Sequence, residues 1–142
     1  MAPALYVGGG FTLAGGIGAN RIARWDGTNW SAAGDGLNSD VYAFATFNNE
    51  LYAGGAFSAS GVTQAGRIAR WNGTAWFPMG SGMNAGVLAL AALPNGDIVA
   101  GGAFTVAGGS PASYLARWDG VSWSPMGSSM NNFVNALVTM SN

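Results

Sequence analysis

Three observations predict an all-β fold made of repeated antiparallel sheets. The 24 glycines and five prolines among the 142 residues fall at regular intervals between short apolar runs, the punctuation of brief strands and tight turns and not of a low-complexity tract. Hydrophobic residues reach 49% while charged residues stop at 8%, against roughly a quarter in an ordinary soluble domain. A core can therefore be buried, and the surface is left to Ser, Thr, Asn, Gly and Ala. Third, the pattern repeats. Gly8-Gly9 returns as Gly54-Gly55 and Gly101-Gly102, Arg24-Trp25 as Arg70-Trp71 and Arg117-Trp118, and Trp30 as Trp76 and Trp123, a period of 46 and then 47 residues. Phe11, Phe57 and Phe104 form a further column, as do Gly34, Gly80 and Gly127 and also Val41, Val87 and Val134, and all six tryptophans fall in two columns.

Each period divides into four strand types bounded by turn residues. Val87 to Leu93, Ile98 to Phe104, Arg67 to Trp71 and Trp76 to Met79 represent them, each a short run of β-branched, aromatic and small apolar residues. Asn48-Asn49 and Pro94-Asn95-Gly96 join the first two types as hairpins, because Asn and Gly accept the positive φ of such turns. Asp26-Gly27, Asn72-Gly73 and Asp119-Gly120 turn between the other two, and Thr12 to Asn20, Ser58 to Gly66 and Thr105 to Ser113 read as longer glycine-containing loops. A four-stranded antiparallel meander at this period is a β-propeller blade, since repeated sheets packed face to face bury what one sheet alone leaves exposed. The expected fold is a β-propeller segment of three blades in one domain, residues 1–142, with repeats at about 4–49, 50–96 and 97–142. The paired glycines of the second strand type carry no Cβ on either face, which lets a neighbouring backbone or a large Trp approach closely.

The residue inventory removes most chemistry. Without His, Cys or Lys there is no Ser-His-Asp triad, cysteine nucleophile, Schiff base or histidine zinc site. The chain also has no GxGxxG and no Walker lysine for phosphate. No catalytic residue and no cofactor is expected, and the protein reads as a non-enzyme. Five Arg against six acidic residues give a net charge of −1, so no basic patch invites nucleic acid. No apolar run approaches the roughly 18 residues of a spanning helix, and no membrane partner is expected. Met1-Ala2-Pro3 leads straight into Leu5-Tyr6-Val7 with no basic segment or signal core.

Among the acids, Asp26 and Asp119 share a column with Asn72 beside the turn glycine, and Glu50 and Asp97 share another at a hairpin. Turn formation and solvation account for these four in place of the paired carboxylates of a glycosidase. Asp35 and Asp40 break the repeat, since the other copies carry Ser81 and Gly86, then Ser128 and Phe133. With the oxygens of Gly34 to Asp40 they are the metal candidates, for a hard cation, beside the plainer reading of a solvated loop. Arg24, Arg70 and Arg117 each share a strand face with the residue two on, so Arg24 is expected to meet Asp26 and Arg117 to meet Asp119. The arginines themselves read as stacked, hydrogen-bonded structural groups between blades.

Asn38, Asn84 and Asn131 precede the Val41, Val87 and Val134 strands. Their amides, at once donor and acceptor, make them the ligand-binding candidates at a channel mouth, with capping of their own turn as the alternative. Trp faces suit sugar stacking, yet both Trp columns recur with the framework and also read as packing. Met83 and Met130, matching Leu37, read as core filler. Asn29-Trp30-Ser31 and Asn72-Gly73-Thr74 are sequons that turn chemistry also explains, and no glycan is assigned.

The pattern Leu-Tyr-x-Gly-Gly-x-Phe, then Arg-Ile-Ala-Arg-Trp-Asp/Asn-Gly-Thr-x-Trp, then Gly-x-Gly-Leu/Met-Asn, resembles the tandem repeats of secreted bacterial β-propeller proteins. It is also similar to kelch and Rax2-like propellers, which share a Gly-Gly strand followed by a spaced tryptophan. The resemblance implies that the Val87 strand is innermost, the Gly-Gly strand second, the Arg-Trp strand third and the Trp76 strand outermost. It also implies an extracellular setting, within larger proteins whose molecular roles are mostly unassigned.

In that strand order the chain opens on a second strand, Leu5 to Phe11, and closes on a first strand, Val134 to Met140. Three blades fall short of the four to eight that close a propeller, and a lone chain would leave open edges. The expectation is a structural unit that assembles head to tail. Val134, Ala136 and Val138 of one chain would complete a split blade against Leu5, Tyr6 and Val7 of another. A dimer would give six blades, a trimer nine, and an open filament is the third outcome. The alternative function is a carbohydrate-binding module of a secreted bacterial protein.

Overall fold

A computed structural model describes residues 3–141; Met1, Ala2 and Asn142, and with them the outermost limits of the expected domain and part of the N-terminal segment read for a signal, lie outside. The protein is all-β, with no helix among the described residues. A three-stranded sheet comprises β1 (Leu5–Gly8), β4 (Ile22–Trp25) and β5 (Trp30–Ala32), with a small hairpin of β2 (Leu13–Ala14) and β3 (Ile17–Gly18) between its first two strands. The second sheet runs β6 (Val41–Phe47), β7 (Glu50–Gly55), β10 (Ile68–Trp71), β11 (Trp76–Pro78), with β8 (Ala59–Ser60) and β9 (Thr63–Gln64) as its small hairpin. The third runs β12 (Val87–Ala92), β13 (Ile98–Gly102), β16 (Leu115–Trp118), β17 (Trp123–Pro125), with the hairpin β14 (Val106–Ala107) and β15 (Ser110–Pro111). Every pairing is antiparallel and follows chain order, consistent with propeller blades.

The segments read as glycine loops are thus two-residue hairpins. Glycines turn two of them, Gly15-Gly16 at φ 56 and 85 and Gly108-Gly109 at φ 60 and 84. Strands this short carry too little pattern to register in a sequence.

The tight turns follow the expected chemistry. Asn48 and Asn49 both take positive φ, 51 and 63. Asp26 accepts from the Thr28 and Asn29 amides at 2.8 Å each, Asn72 from Thr74 and Ala75 at 2.9 Å, and Asp119 from Val121 at 2.9 Å and Ser122 at 2.8 Å. The amides of Asn29 and then Thr28 hold the Asp26 carboxyl below its ordinary value of 3.8, and those of Ser122 and then Val121 do the same for Asp119.

Apolar layers lie between consecutive sheets. One joins Ile22 and Leu37 to Leu51, Phe57, Trp71 and Trp76; the other joins Tyr52, Ile68 and Met79 to Ile98, Phe104 and Trp123. The glycine pairs set how closely sheets and strands approach. A Cβ on Gly8 would meet Val41 at 2.6 Å, and one on Gly54 would meet Val87 at 2.5 Å, so the first glycine admits the inner-strand valine of the next sheet. A Cβ on the second glycine would collide with backbone of its own sheet, Asp40 O at Gly55 and Gly86 O at Gly102. The inner strands bulge here, between Val41 and Ala43 and between Val87 and Ala89, which drives one residue out of register.

Gly55→Ala should therefore cost about 1–3 kcal/mol, read as a lowered urea midpoint with unchanged slope. The turn carboxylates carry a pH signature. Because the folded Asp119 pKa is depressed, its stabilisation is present above the ordinary carboxylate range and lost as pH falls through the lowered value. Asp119→Asn should flatten the acid limb of the melting-temperature profile while keeping the turn, since Asn72 makes the same bonds uncharged.

Candidate functional site

The candidate site is a pair of sheet edges that carry no further strand among the described residues. β1 has β4 on one side and, among the described residues, no strand on the other, so Leu5, Tyr6 and Val7 border an open ladder. Leu5 is 58% exposed; Tyr6 is half-buried, and its hydroxyl accepts from Trp71 Nε1 at 3.1 Å. At the other end, Val134 to Met140 forms no ladder among the described residues, yet it is docked. Val134 sits where a Cβ on Gly101 would meet it at 2.5 Å, repeating Val41 over Gly8 and Val87 over Gly54. Its amide donates to Gly102 O at 3.2 Å, as that of Val41 does to Gly9 O at 3.2 Å. Thr139 Oγ1 donates to Ala92 O at 2.8 Å. Ala136 and Val138 are exposed, Val138 by 82%.

The two outward faces at these edges carry the residues that elsewhere form the layers. Phe57 and Phe104 are 0% exposed, whereas Phe11 in the same column is half-buried. Phe11, with Val7, Leu13, Ala23 and Trp30, lines a shallow apolar hollow. Leu115 and Met126 line the opposite hollow on the third sheet together with Asp97, Arg117 and Asp119, and Met130 is exposed. A Cβ on Gly34 or Gly80 would meet Trp71 at 3.1 Å or Trp118 at 3.4 Å, but one on Gly127 would meet nothing. Gly9 differs likewise from Gly55 and Gly102, with only Phe11 at 3.4 Å.

The asparagine column clamps the small hairpins. Asn38 Oδ1 accepts from the Ser58 and Ala59 amides at 2.8 and 3.2 Å, and Nδ2 donates to Ser58 Oγ at 3.0 Å. Asn84 repeats this on Thr105 and Val106, at 2.9, 3.0 and 3.0 Å. Asn131 has no such partner among the described residues. Asp40 faces Arg21, Nε to Oδ1 at 3.9 Å, and Asp35 lies beside Gly61, its carbonyl accepting from Asn20. No cluster of three metal-ligating side chains occurs among the described residues.

The arginine pairs differ from expectation. Arg70 binds Glu50 at 2.6 Å and Arg117 binds Asp97 at 2.5 Å. Arg70 faces Tyr52 and Arg117 faces Val99 across the ladder, so each carboxylate is the diagonal neighbour on the same face. Asp26 and Asp119 lie past their strand ends, turned back into their own turns. In the first sheet the matching position is Ala4, and Arg24 has no carboxylate within ion-pair range among the described residues. Arg70 also lies over Phe77, 5.2 Å from the ring centre. Burial first, and then Glu50, to which its hydroxyl donates at 3.2 Å, push the Tyr52 phenol up. Alignment of the columns 4, 50 and 97 with 24, 70 and 117 holds this pairing; neighbours along one strand do not.

The tryptophans pack in tilted pairs, 5.1 Å apart for Trp25–Trp30, 5.2 Å for Trp71–Trp76 and 5.3 Å for Trp118–Trp123. Trp71, Trp76 and Trp123 are buried. An open cleft of about 570 Å³ lies between the first two sheets, lined by Tyr6, Phe47, Glu50, Leu51 and Trp71 among others.

Comparison with known proteins gives one short match: residues 93–118 fit the family model described as "Domain of unknown function (DUF5122) beta-propeller". No curated protein and no solved structure matches the chain. The match covers the Asp97 hairpin, β13, the β14–β15 hairpin and β16, and it supports a β-propeller for this fold.

Proposed function

We propose that the chain is a non-catalytic structural unit of three blades that builds a propeller from copies of itself. The Val134 to Met140 segment of one copy adds to β1 of the next as its missing fourth strand. The observation that carries this reading is the seat of Val134: the segment already holds the inner-strand position over Gly101, with no strand beside it. Carrying the register of the second sheet forward pairs Val134 with Gly9, Ala136 with Gly8, Leu137 with Val7, Val138 with Tyr6 and Thr139 with Leu5. The same step packs Leu5, Val7, Phe11 and Trp30 against Leu115, Met126, Met130 and Leu137, a third apolar layer like the two inside the chain. Such head-to-tail contacts are heterologous and close into a ring when the rotation permits; two copies give six blades, within the range that closes.

Removing an open edge and exposed apolar side chains from water favours association. The residue inventory supports a role without catalysis, and the kelch-like Gly-Gly and Trp columns belong to the same reading. Burial of Trp71, Trp76 and Trp123 favours this scaffold over a sugar-binding module, whose ligands need open aromatic faces.

Light scattering at micromolar concentration should give twice the 14.3 kDa of one chain. In Gly9→Ala, the new Cβ has room within the copy but would strike the incoming backbone, as at Gly55. This variant should run as a monomer with an unchanged circular dichroism spectrum. A monomeric parent chain, or a Gly9→Ala variant that assembles equally well, would overturn the reading.

A further inference from the structure

Beyond the strand ladder, two hydrogen-bonded contacts recur with the sheets. Across each junction the outermost-strand tryptophan reaches back to the preceding sheet: Trp76 Nε1 donates to Ala33 O at 3.0 Å and Trp123 Nε1 to Met79 O at 2.8 Å. Within each complete sheet, Asn38 or Asn84 grips the two amides and the hydroxyl that open the small hairpin. Carried on by one repeat, each series leaves one half on either outward face. Trp30 matches Trp76 and Met126 matches Ala33; Asn131 matches Asn38 and Asn84, and Thr12-Leu13 match Ser58-Ala59 and Thr105-Val106. Among the described residues, neither the Trp30 indole nor the Asn131 amide bonds to anything.

We infer that Asn131 and Trp30 form a register-setting clasp between copies: Asn131 of one chain holds the Thr12 and Leu13 amides and the Thr12 hydroxyl of the next, whose Trp30 donates to the first chain's Met126 carbonyl. Asn131 is already placed for this. The Met130 amide donates to Ser113 O at 3.2 Å and the Val134 amide to Gly102 O at 3.2 Å. These repeat Leu37 to Asn20 O at 3.0 Å and Val41 to Gly9 O at 3.2 Å, the bonds that flank Asn38. Thr12, like Thr105, supplies the hydroxyl that receives Nδ2. The Met126 carbonyl already accepts from Ser129 N at 3.2 Å, as Ala33 O accepts from Gly36 N at 3.1 Å while also receiving Trp76; a second lone pair remains for Trp30.

The clasp adds a second register constraint to the close backbone approach at Gly9. Side chains alternate with period two, so a slip of two residues along β1 would keep every apolar residue on its face. Asn131 meets the paired amides at Thr12 and Leu13 in one register alone.

This inference rests on the split-sheet reading, and the experiment separates the two. In the full 142-residue chain, hydrogen exchange followed by NMR across a dilution series should show the Thr12 and Leu13 amides and the Trp30 indole proton protected in the assembly and exposed on dilution. Asn131→Ala should weaken association by about ten- to a hundredfold, the sum of two or three hydrogen bonds, and release Thr12 and Leu13 while Trp30 stays protected. Thr12→Val, which removes only the hydroxyl contact, should weaken it less and add nothing in an Asn131→Ala background. An assembly in which Thr12 and Leu13 exchange freely, or in which Asn131→Ala binds as tightly as the parent, overturns the clasp and leaves the split sheet standing. A parent chain monomeric at every concentration overturns both.

Discussion

The approach of one sheet to the next depends on the missing side chain of the glycine pair. Gly8, Gly54 and Gly101 each make room for a valine of the following inner strand, and Gly55 and Gly102 each admit backbone of their own inner strand. Any Cβ at these points would separate either the strands of one sheet or two neighbouring sheets. Only with this spacing do the larger residues fill the layers: Phe57 and Phe104 reach full burial, and Trp76 and Trp123 come within hydrogen-bond distance of a carbonyl on the sheet before. The aromatic columns are thus a consequence of the glycine columns, and the two recur together because neither packs without the other.

Polar residues then specify what the apolar layers leave open. The layers are non-directional and tolerate sliding, whereas the asparagine clamps and indole bonds have one geometry each. With so few charges, the two short ion pairs lie within single sheets, Glu50 with Arg70 and Asp97 with Arg117, diagonal across the second and third strands, while the longer Arg21–Asp40 contact runs from the first sheet to the second. Partly exposed pairs of this kind contribute modestly to stability. Their geometry instead ties the hairpin end of the second strand to the third, close to where the inner strand turns.

Much of this was legible in the sequence. Gly and Trp columns marked the period, and Asn and Gly the tight turns, because glycine and asparagine are demanded by backbone geometry at set offsets; the order of strands across a sheet came from the family resemblance. The two-residue hairpins were not, since so short a strand carries no alternation. The arginine partners were misread for a related reason: Asp26 and Asp119 stand two residues along the chain, but the strand ends before them, and the bond lies across the ladder. The asparagines read as ligand groups are, at 38 and 84, occupied by hairpin amides. Their shared alignment with Ser58 and Thr105 held that signal, one visible only when two columns are compared rather than one.

The places where the repeat breaks follow the same logic of paired columns. Arg21, Arg67 and Tyr114 all adopt positive φ, 65, 67 and 70, an uncommon setting for such side chains, and Arg21 and Tyr114 stand opposite Asp40 and Phe133. Arg21 faces Asp40 at 3.9 Å, and the Tyr114 and Phe133 rings pack tilted with centres 5.6 Å apart. Charge meets charge and ring meets ring, so Asp40, which looks like a stray acid when the repeats are read singly, is the counterpart of Arg21. The Tyr114–Phe133 pair fastens the start of the unpaired segment to the third sheet. That segment is therefore held at both ends, by Phe133 and Val134 at one and by Thr139 at the other. In the proposed assembly, a preformed edge of this kind would lower the entropy lost on association.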